Sequence, residues 1–147
     1  MKKENVDICI SHDWPRGIYD HADTSELLHW KPFFRQEIEN RTLGSQAAEI
    51  LLHELQPAHW FSAHLHVKFL AKVRHNDQKA TQFMALDKCL ARRKYLELVQ
   101  VPHDESLGLN LCYDPHWLAV LRSTNHLLSV KEIRSFLPGP NITTGER

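Results

Sequence analysis

Three histidines could bring imidazole nitrogens to one metal site. His64 and His66 stand two positions apart in the segment His59–Phe69, and His12 follows the β-branched run Val6–Ile10. Residues two apart in an extended chain point to the same side, so both imidazoles of the pair would face one small volume. Neutral imidazole is the commonest protein ligand of metal ions. A pair is only part of a site, because a structural or catalytic zinc usually has four ligands.

The predicted order of elements brings His12 close to this pair. The elements before the pair are a buried strand, Val6–Ile10, a helix that begins at Pro32, and a helix from Ser45 to just before Pro57. Strand, helices and a second strand are typical of a βαβ crossover, which lays its two strands side by side. His12 would then lie near His64 and His66. Taken alone, His12 with Asp13 is more typical of a turn with a capping aspartate.

Alternation within His59–Phe69 predicts a core face and an exposed face. The core face would carry Phe61, Ala63, Leu65, Val67 and Phe69, and the other face His64, His66 and Lys68. The elements predicted after the pair are three strands, Val67–Val73, Thr81–Leu86 and Leu96–Val101, and a helix, Pro115–Arg122, that buries Trp117, Leu118 and Leu121. The fold class predicted is α/β (α+β).

Composition narrows the class of protein. The chain has 147 residues and a formal net charge of zero, which is typical of one soluble domain. No apolar run approaches the length of a membrane span, so no membrane partner is expected. Three widely spaced cysteines favour a reducing compartment over a disulfide framework.

Positive charge is concentrated in the middle of the chain. Residues 68–94 hold eight basic and two acidic side chains, a local net charge of +6. Such a segment suits a face that meets a polyanion. On charge alone, a solvated hairpin with lysines that protect an edge strand is the more typical interpretation.

Four motifs make the chain similar to a known family. They are Ser11–Ile18 (SHDWPRGI), Phe33–Glu37 (FFRQE), Trp60–Phe69 (WFSAHLHVKF) and Ala85–Leu90 (ALDKCL). Together they resemble the RNA lariat debranching enzymes, of the calcineurin-like metallophosphoesterase superfamily, from about Val6 to about Thr124. The resemblance implies a β-sandwich flanked by helices and a nuclear enzyme of mRNA processing. That enzyme would hydrolyse the 2′,5′-phosphodiester bond of branched (lariat) intron RNA with divalent Mn²⁺, Fe²⁺ or Zn²⁺.

The resemblance also assigns metal ligands. His12 matches the superfamily's lone histidine and His64 with His66 its final pair, with Ala63 where glycine often stands. By resemblance, His12 and His64 would bind one metal and His66 the other. In this chain alone the three imidazoles could instead hold one Zn²⁺, with Asp13 or Cys9 as outside candidates for a fourth ligand. The superfamily's Asp-x-His, Gly-Asp and Gly-Asn-His-Glu motifs have no counterpart, so no catalytic residue is assigned.

The missing motifs imply an incomplete site. We expect residues 1–128 to be the second half of a metallophosphoesterase domain, and 129–147 to be a disordered tail or the truncated start of a C-terminal domain. A partial gene model, a short isoform or a degenerate copy would each give this pattern. Alone, such a chain is expected to be inactive, and orphaned strand edges would make it poorly soluble or molten.

Three basic residues are candidates for phosphate contacts in the implied substrate site. They are Arg16, Lys68 and Lys88, and each is equally typical of a solvated side chain. The alternative function for the chain is a non-catalytic remnant that binds RNA through the basic segment, or a metal through the three histidines.

Overall fold

The structure, a computed structural model, describes residues 6–108 and 110–127. Its strands are β1 (Ile8–Ile10), β2 (His59–Ser62), β3 (Phe69–Arg74) and β4 (Ala80–Ala85). Its helices are α1 (Ser25–Trp30), α2 (Arg35–Glu39), α3 (Gln46–Leu55) and α4 (Pro115–Thr124), with short 3₁₀ turns at Ile18–His21, Pro32–Phe34 and Asn125–Leu127. No helix in these ranges is long and apolar enough to cross a membrane.

The chain forms two compact units, residues 1–100 and 101–147. The four strands and the first three helices lie in the first unit, and α4 with the turn Asn125–Leu127 lies in the second. The predicted boundary at residue 128 stays a prediction, and the segment 129–147 lies outside the described residues.

The four strands form one mixed sheet in the order β1-β2-β4-β3. β1 pairs with β2 in parallel, with Cys9 opposite Trp60, and β2 pairs with β4 in parallel. β3 and β4 are antiparallel. The α/β fold class is confirmed, and so is the crossover that places β1 beside β2, because the intervening helices span the distance that two parallel neighbours require.

The core lies on one face of this sheet. The strands contribute alternate side chains to it, among them Trp60, Val73 and Phe83. The loop and helices between β1 and β2 cover that face with Trp14, Ile18, Tyr19, Leu27, Leu43, Ala48 and Leu52. Trp14 stacks on Phe69, with ring centroids 5.0 Å apart. The loop that carries His12 is therefore anchored in the core through Trp14.

The helix predicted after Ser45 is confirmed as α3. The Ser45 side chain accepts a hydrogen bond from the Ala48 amide at 3.2 Å, which caps the first turn. The helix ends at Gln56 in a left-handed conformation, directly before the buried Pro57. Its buried residues are Ala48 and Leu52, whereas Leu51 is exposed.

Several local predictions are wrong. Residues 63–68 are not extended, because His64 and His66 both adopt left-handed backbone angles (φ 56° and 55°) that interrupt the strand. Residues 96–101 form no regular strand. β1 is not buried, since Ile10 on the open face of the sheet is 81% exposed. Trp117, Leu118 and Leu121 of α4 are exposed rather than buried.

A buried hydrogen-bond chain beside β3 and β4 makes stability depend on pH. The Thr81 hydroxyl donates its proton to the Pro57 carbonyl at 2.5 Å. His75 Nε2 lies 2.8 Å from the same hydroxyl oxygen, so this nitrogen must carry a proton and donate it to Thr81. Burial, and next the nearby His53, His21 and Lys79, lower the pKa of His75.

Because the pKa of His75 is lower in the folded chain than in the unfolded chain, the unfolded state takes up the proton on this imidazole first as the pH falls through about 6.5. We expect the free energy of unfolding to be highest above that pH and to decline below it. Urea titrations from pH 8 to 5 would measure the decline. His75→Gln keeps a donor without titrating, so it should flatten part of the loss; an unchanged slope would contradict the prediction.

Candidate functional site

His12 and His64 meet at the carboxyl ends of the parallel strands β1 and β2. His64 Nδ1 lies 2.9 Å from His12 Nε2, and the two ring centroids are 4.7 Å apart. At this distance one nitrogen donates a proton and the other accepts it. The pair therefore shares one proton at the solvent-exposed ends of the two strands.

Backbone hydrogen bonds hold the two loops together beyond the ends of the strands. The Ser11 amide donates to the Phe61 carbonyl at 3.0 Å, and the Ala63 amide donates to the His12 carbonyl at 3.1 Å. These bonds continue the β1–β2 ladder by two rungs. The position of His12 relative to His64 is thus fixed by the sheet.

Side chains beneath the pair reinforce this attachment. The Trp60 indole donates to Ser11 Oγ at 2.9 Å, and Ser11 Oγ donates to the Asp13 carbonyl at 2.6 Å. Ser62 Oγ lies within hydrogen-bond distance of both Ser11 Oγ and the Asp13 carbonyl. Each hydroxyl thus links the loop that follows β1 to β2. We infer that these groups position the pair rather than take part in chemistry.

Trp14 supports the second loop directly. Its indole nitrogen donates to the carbonyl of Ala63 at 2.9 Å, one residue before His64. Sequence reasoning missed these supports from Trp14, Trp60, Ser11 and Ser62. The available signal was a tryptophan in each histidine-bearing motif, because a buried indole N–H needs an acceptor.

His64 itself adopts an unfavourable backbone conformation. Its φ of 56° lies in the left-handed region, which costs a non-glycine residue about 1–2 kcal/mol. We expect His64→Gly to be more stable than His64→Ala by roughly 1 kcal/mol, since both remove the imidazole but only glycine removes the strain. Chemical denaturation of the two variants would measure the difference.

His53, exposed within α3, provides the control for this comparison. At a helical position glycine is less stable than alanine by about 1 kcal/mol, so the order of the two variants should reverse. The same order at both positions would contradict the left-handed geometry of His64.

His66 lies in a cleft beside the pair. The cleft is lined by the end of α1, by residues 66–68 and by the loop 87–94. Partial desolvation, and next the positive charges of Lys88 and Lys31, lower the pKa of His66. The lowered pKa favours the neutral form of His66, whose ring nitrogen can accept a proton or bind a metal.

Arg93 connects the loop 87–94 to His66. Its guanidinium binds the Asp87 carboxylate at 2.7 Å and donates to the His66 carbonyl at 3.4 Å. Burial alone would raise the pKa of Asp87, but the hydrogen bonds from Arg93 and the Lys88 amide outweigh it and lower the pKa. Asp87 is thus ionised and committed to this loop.

The donor set fits part of a metal site. The nitrogens of His12 and His64 are close enough to be ligands of one ion, but no group of three His, Cys, Asp or Glu side chains in the described ranges could hold a metal. Asp13 Oδ1 instead accepts a hydrogen bond from the Trp14 amide. Burial raises the pKa of Cys9, so its thiol stays protonated. The assignment of His12, His64 and His66 as ligands stays a prediction.

The three residues predicted to contact phosphate differ in whether they already form an ion pair. Arg16 binds Glu49 of α3 at 2.8 Å, and Lys68 pairs with Glu97. Lys88 forms no ion pair within the described ranges, and its positive charge contributes to the lowered pKa of His66. Of the three, Lys88 is the one whose charge is uncompensated, so it is the best placed to meet a phosphate.

Comparison with known proteins gives a consistent result. Residues 78–147 match the family model described as the C-terminal domain of the lariat debranching enzyme. The chain is 48% identical to a lariat debranching enzyme from Gallus gallus over 145 residues, which is 95% of this chain and 27% of that protein. It is 54% identical to the one from Mus musculus over 134 residues, 87% of this chain and 24% of that protein.

A plant relative extends the comparison. The lariat debranching enzyme of Arabidopsis thaliana is 49% identical over 126 residues, 85% of this chain and 30% of that protein. The chain thus spans about a quarter of the length of the first two relatives and somewhat more of the third. The resemblance inferred from the four motifs is confirmed.

Proposed function

The chain is homologous, over most of its length, to part of the lariat debranching enzymes, and we propose that it contributes to hydrolysis of the 2′,5′-phosphodiester bond in branched RNA. The structural observation that supports this is the 2.9 Å contact between His12 and His64 at adjoining strand ends. These rings come from two separate motifs, and the fold joins them. Branched intron RNA in the nucleus is the proposed setting.

We propose that a divalent ion, Mn²⁺, Fe²⁺ or Zn²⁺, is bound through His12 and His64, with His66 available to a second ion. Such ions, when bound, polarise a phosphate and lower the pKa of water. The chain's own contribution is to fix two imidazoles on the sheet and to keep His66 neutral beside them. Because no third ligand joins them in the described ranges, the proposal requires further ligands from other residues.

The test uses a synthetic branched RNA and the purified chain, with Mn²⁺ and with a chelator. We expect cleavage only when the rest of a lariat debranching enzyme's catalytic domain is supplied as a separate polypeptide, and loss of that cleavage by about 100-fold or more in His64→Asn, which tolerates the left-handed backbone. His53→Asn is the control. Cleavage unaffected by His64→Asn would overturn the proposal.

A non-catalytic role is the second candidate. The observation in its favour is the same lack of a third metal ligand among the described residues. In that case the chain would bind branched RNA in the assay without accelerating its cleavage, whether or not the remaining domain is supplied.

A further inference from the structure

The cleft beside His66 contains basic side chains that have no acidic partner. It is lined by five basic side chains and two acidic ones. Three of the basic groups are already neutralised: Arg93 binds Asp87, Lys68 binds Glu97 and Lys94 lies 3.7 Å from Glu26. Two remain, Lys31 and Arg92, and neither forms an ion pair within the described ranges.

Lys88 adds a third unpaired cation at the same place. Lys88 directly follows Asp87, which lines the cleft, and it forms no ion pair within the described ranges. Three unpaired cations around one concavity repel one another in the free protein. An anion that enters the cleft would relieve this repulsion.

An exposed aromatic ring forms part of the same cleft. Trp30, the last residue of α1, is 61% exposed and lines the wall next to Lys31. Trp14 and Trp60, by contrast, are almost completely buried. A large solvent-exposed indole beside cations is the combination by which proteins bind unpaired nucleotides, with a base on the ring and the phosphates on the basic groups.

We propose that this cleft binds a single strand of RNA, with one base stacked on Trp30 and phosphates on Lys31, Lys88 and Arg92. The proposal rests on the proposed function, since the strand would be one that leads to the branch at the histidine pair. The positions of Trp30, Lys31 and Arg92 extend the substrate site beyond the residues that the sequence motifs identified.

Binding of a fluorescent, unbranched hexaadenylate RNA to the full chain tests the cleft without any catalysis. Trp30→Ala should weaken binding about tenfold, and Trp30→Tyr should restore most of it, because stacking contributes about 1–3 kcal/mol per base. Lys31→Gln combined with Arg92→Gln should reduce the slope of log K against log salt by about 1.4, from two phosphate contacts on a single strand.

The controls carry the same changes elsewhere. Lys72→Gln with Arg74→Gln removes from the exposed side of β3 two charges that form no ion pair with the described residues, and Trp117→Ala removes the exposed indole of α4. Equal losses in the cleft and control variants, or no binding by the unaltered chain, would overturn the proposal. Cleft-dependent binding of linear RNA, with no cleavage of branched RNA even when the rest of the catalytic domain is supplied, would contradict the proposed function alone.

Discussion

Trp14→Ala is expected to unfold the protein or to lower its free energy of unfolding by about 3–5 kcal/mol. The side chain is 1% exposed, stacks on Phe69 and contacts Phe83 edge-on with ring centroids 5.4 Å apart. Its removal would leave a cavity between the sheet and the loop that carries His12. A loss of this size is a large fraction of the 5–15 kcal/mol that typically stabilises a domain.

The hydrogen bond of Trp14 can be separated from its packing. Trp14→Phe keeps most of the apolar contact but removes the donor to the Ala63 carbonyl. We expect a smaller loss of about 0.5–1.5 kcal/mol, the net contribution of one hydrogen bond, because the Ala63 carbonyl still accepts from the Leu65 amide at 2.7 Å. The NMR signals of His12 and His64 should also shift, because Ala63 directly precedes His64.

Trp117→Ala is the matched control for the first variant. Trp117 is 57% exposed in α4, so its replacement should change stability by less than about 0.5 kcal/mol. Urea denaturation followed by circular dichroism measures all three variants. A loss for Trp14→Ala as small as that for Trp117→Ala would contradict the packing of the loop on the sheet.

The closeness of His12 and His64 could be predicted from the sequence because it depends on the order of elements. A strand, a helical crossover and a second strand leave few alternatives to parallel neighbours, and both histidines follow their strands directly. The signal was therefore topological. The predicted closeness of the two histidines did not depend on the exact end of either strand, and the strand ends were predicted less well.

The conformation of the segment 63–68 could not be predicted in the same way. The alternation of apolar residues favoured a continuous strand. Leu65 and Val67 are indeed buried, but the backbone that carries them is an irregular loop. Two left-handed histidines make this possible, and histidine gives no sequence signal as strong as glycine at such positions. The order of elements also could not reveal that Arg16 and Lys68 have acidic partners, because Glu49 and Glu97 lie far along the chain.

Gly44→Ala is expected to be the second severely destabilising substitution, with a loss of roughly 3 kcal/mol or more. A Cβ atom at Gly44 would lie 2.7 Å from the Trp14 carbonyl oxygen and 3.2 Å from the Arg16 backbone. Gly44 also has a φ of +92°. The loss combines the strain of a left-handed alanine, about 1–2 kcal/mol, with overpacking of about 1–3 kcal/mol.

The clash would fall where the first histidine loop is fixed to α3. The Ser45 amide donates to the Trp14 carbonyl at 2.8 Å, and the Arg16 amide donates to the Ser45 carbonyl at 3.0 Å. A Cβ at Gly44 would separate these two backbones. We therefore expect Gly44→Ala to displace the loop that holds His12 as well as to reduce stability.

Gly17→Ala separates the clash from the backbone strain. Gly17 also has a positive φ, +79°, but the one close approach of its added Cβ would be to the flexible end of the Arg41 side chain, at 2.9 Å, with Asp20 Oδ2 at an ordinary contact distance of 3.6 Å. That side chain can move, so Gly17→Ala should lose only the strain of about 1–2 kcal/mol. Denaturation of both variants measures the difference, and equal losses would show that the backbone of Gly44 does not approach Trp14 as closely as the structure places it.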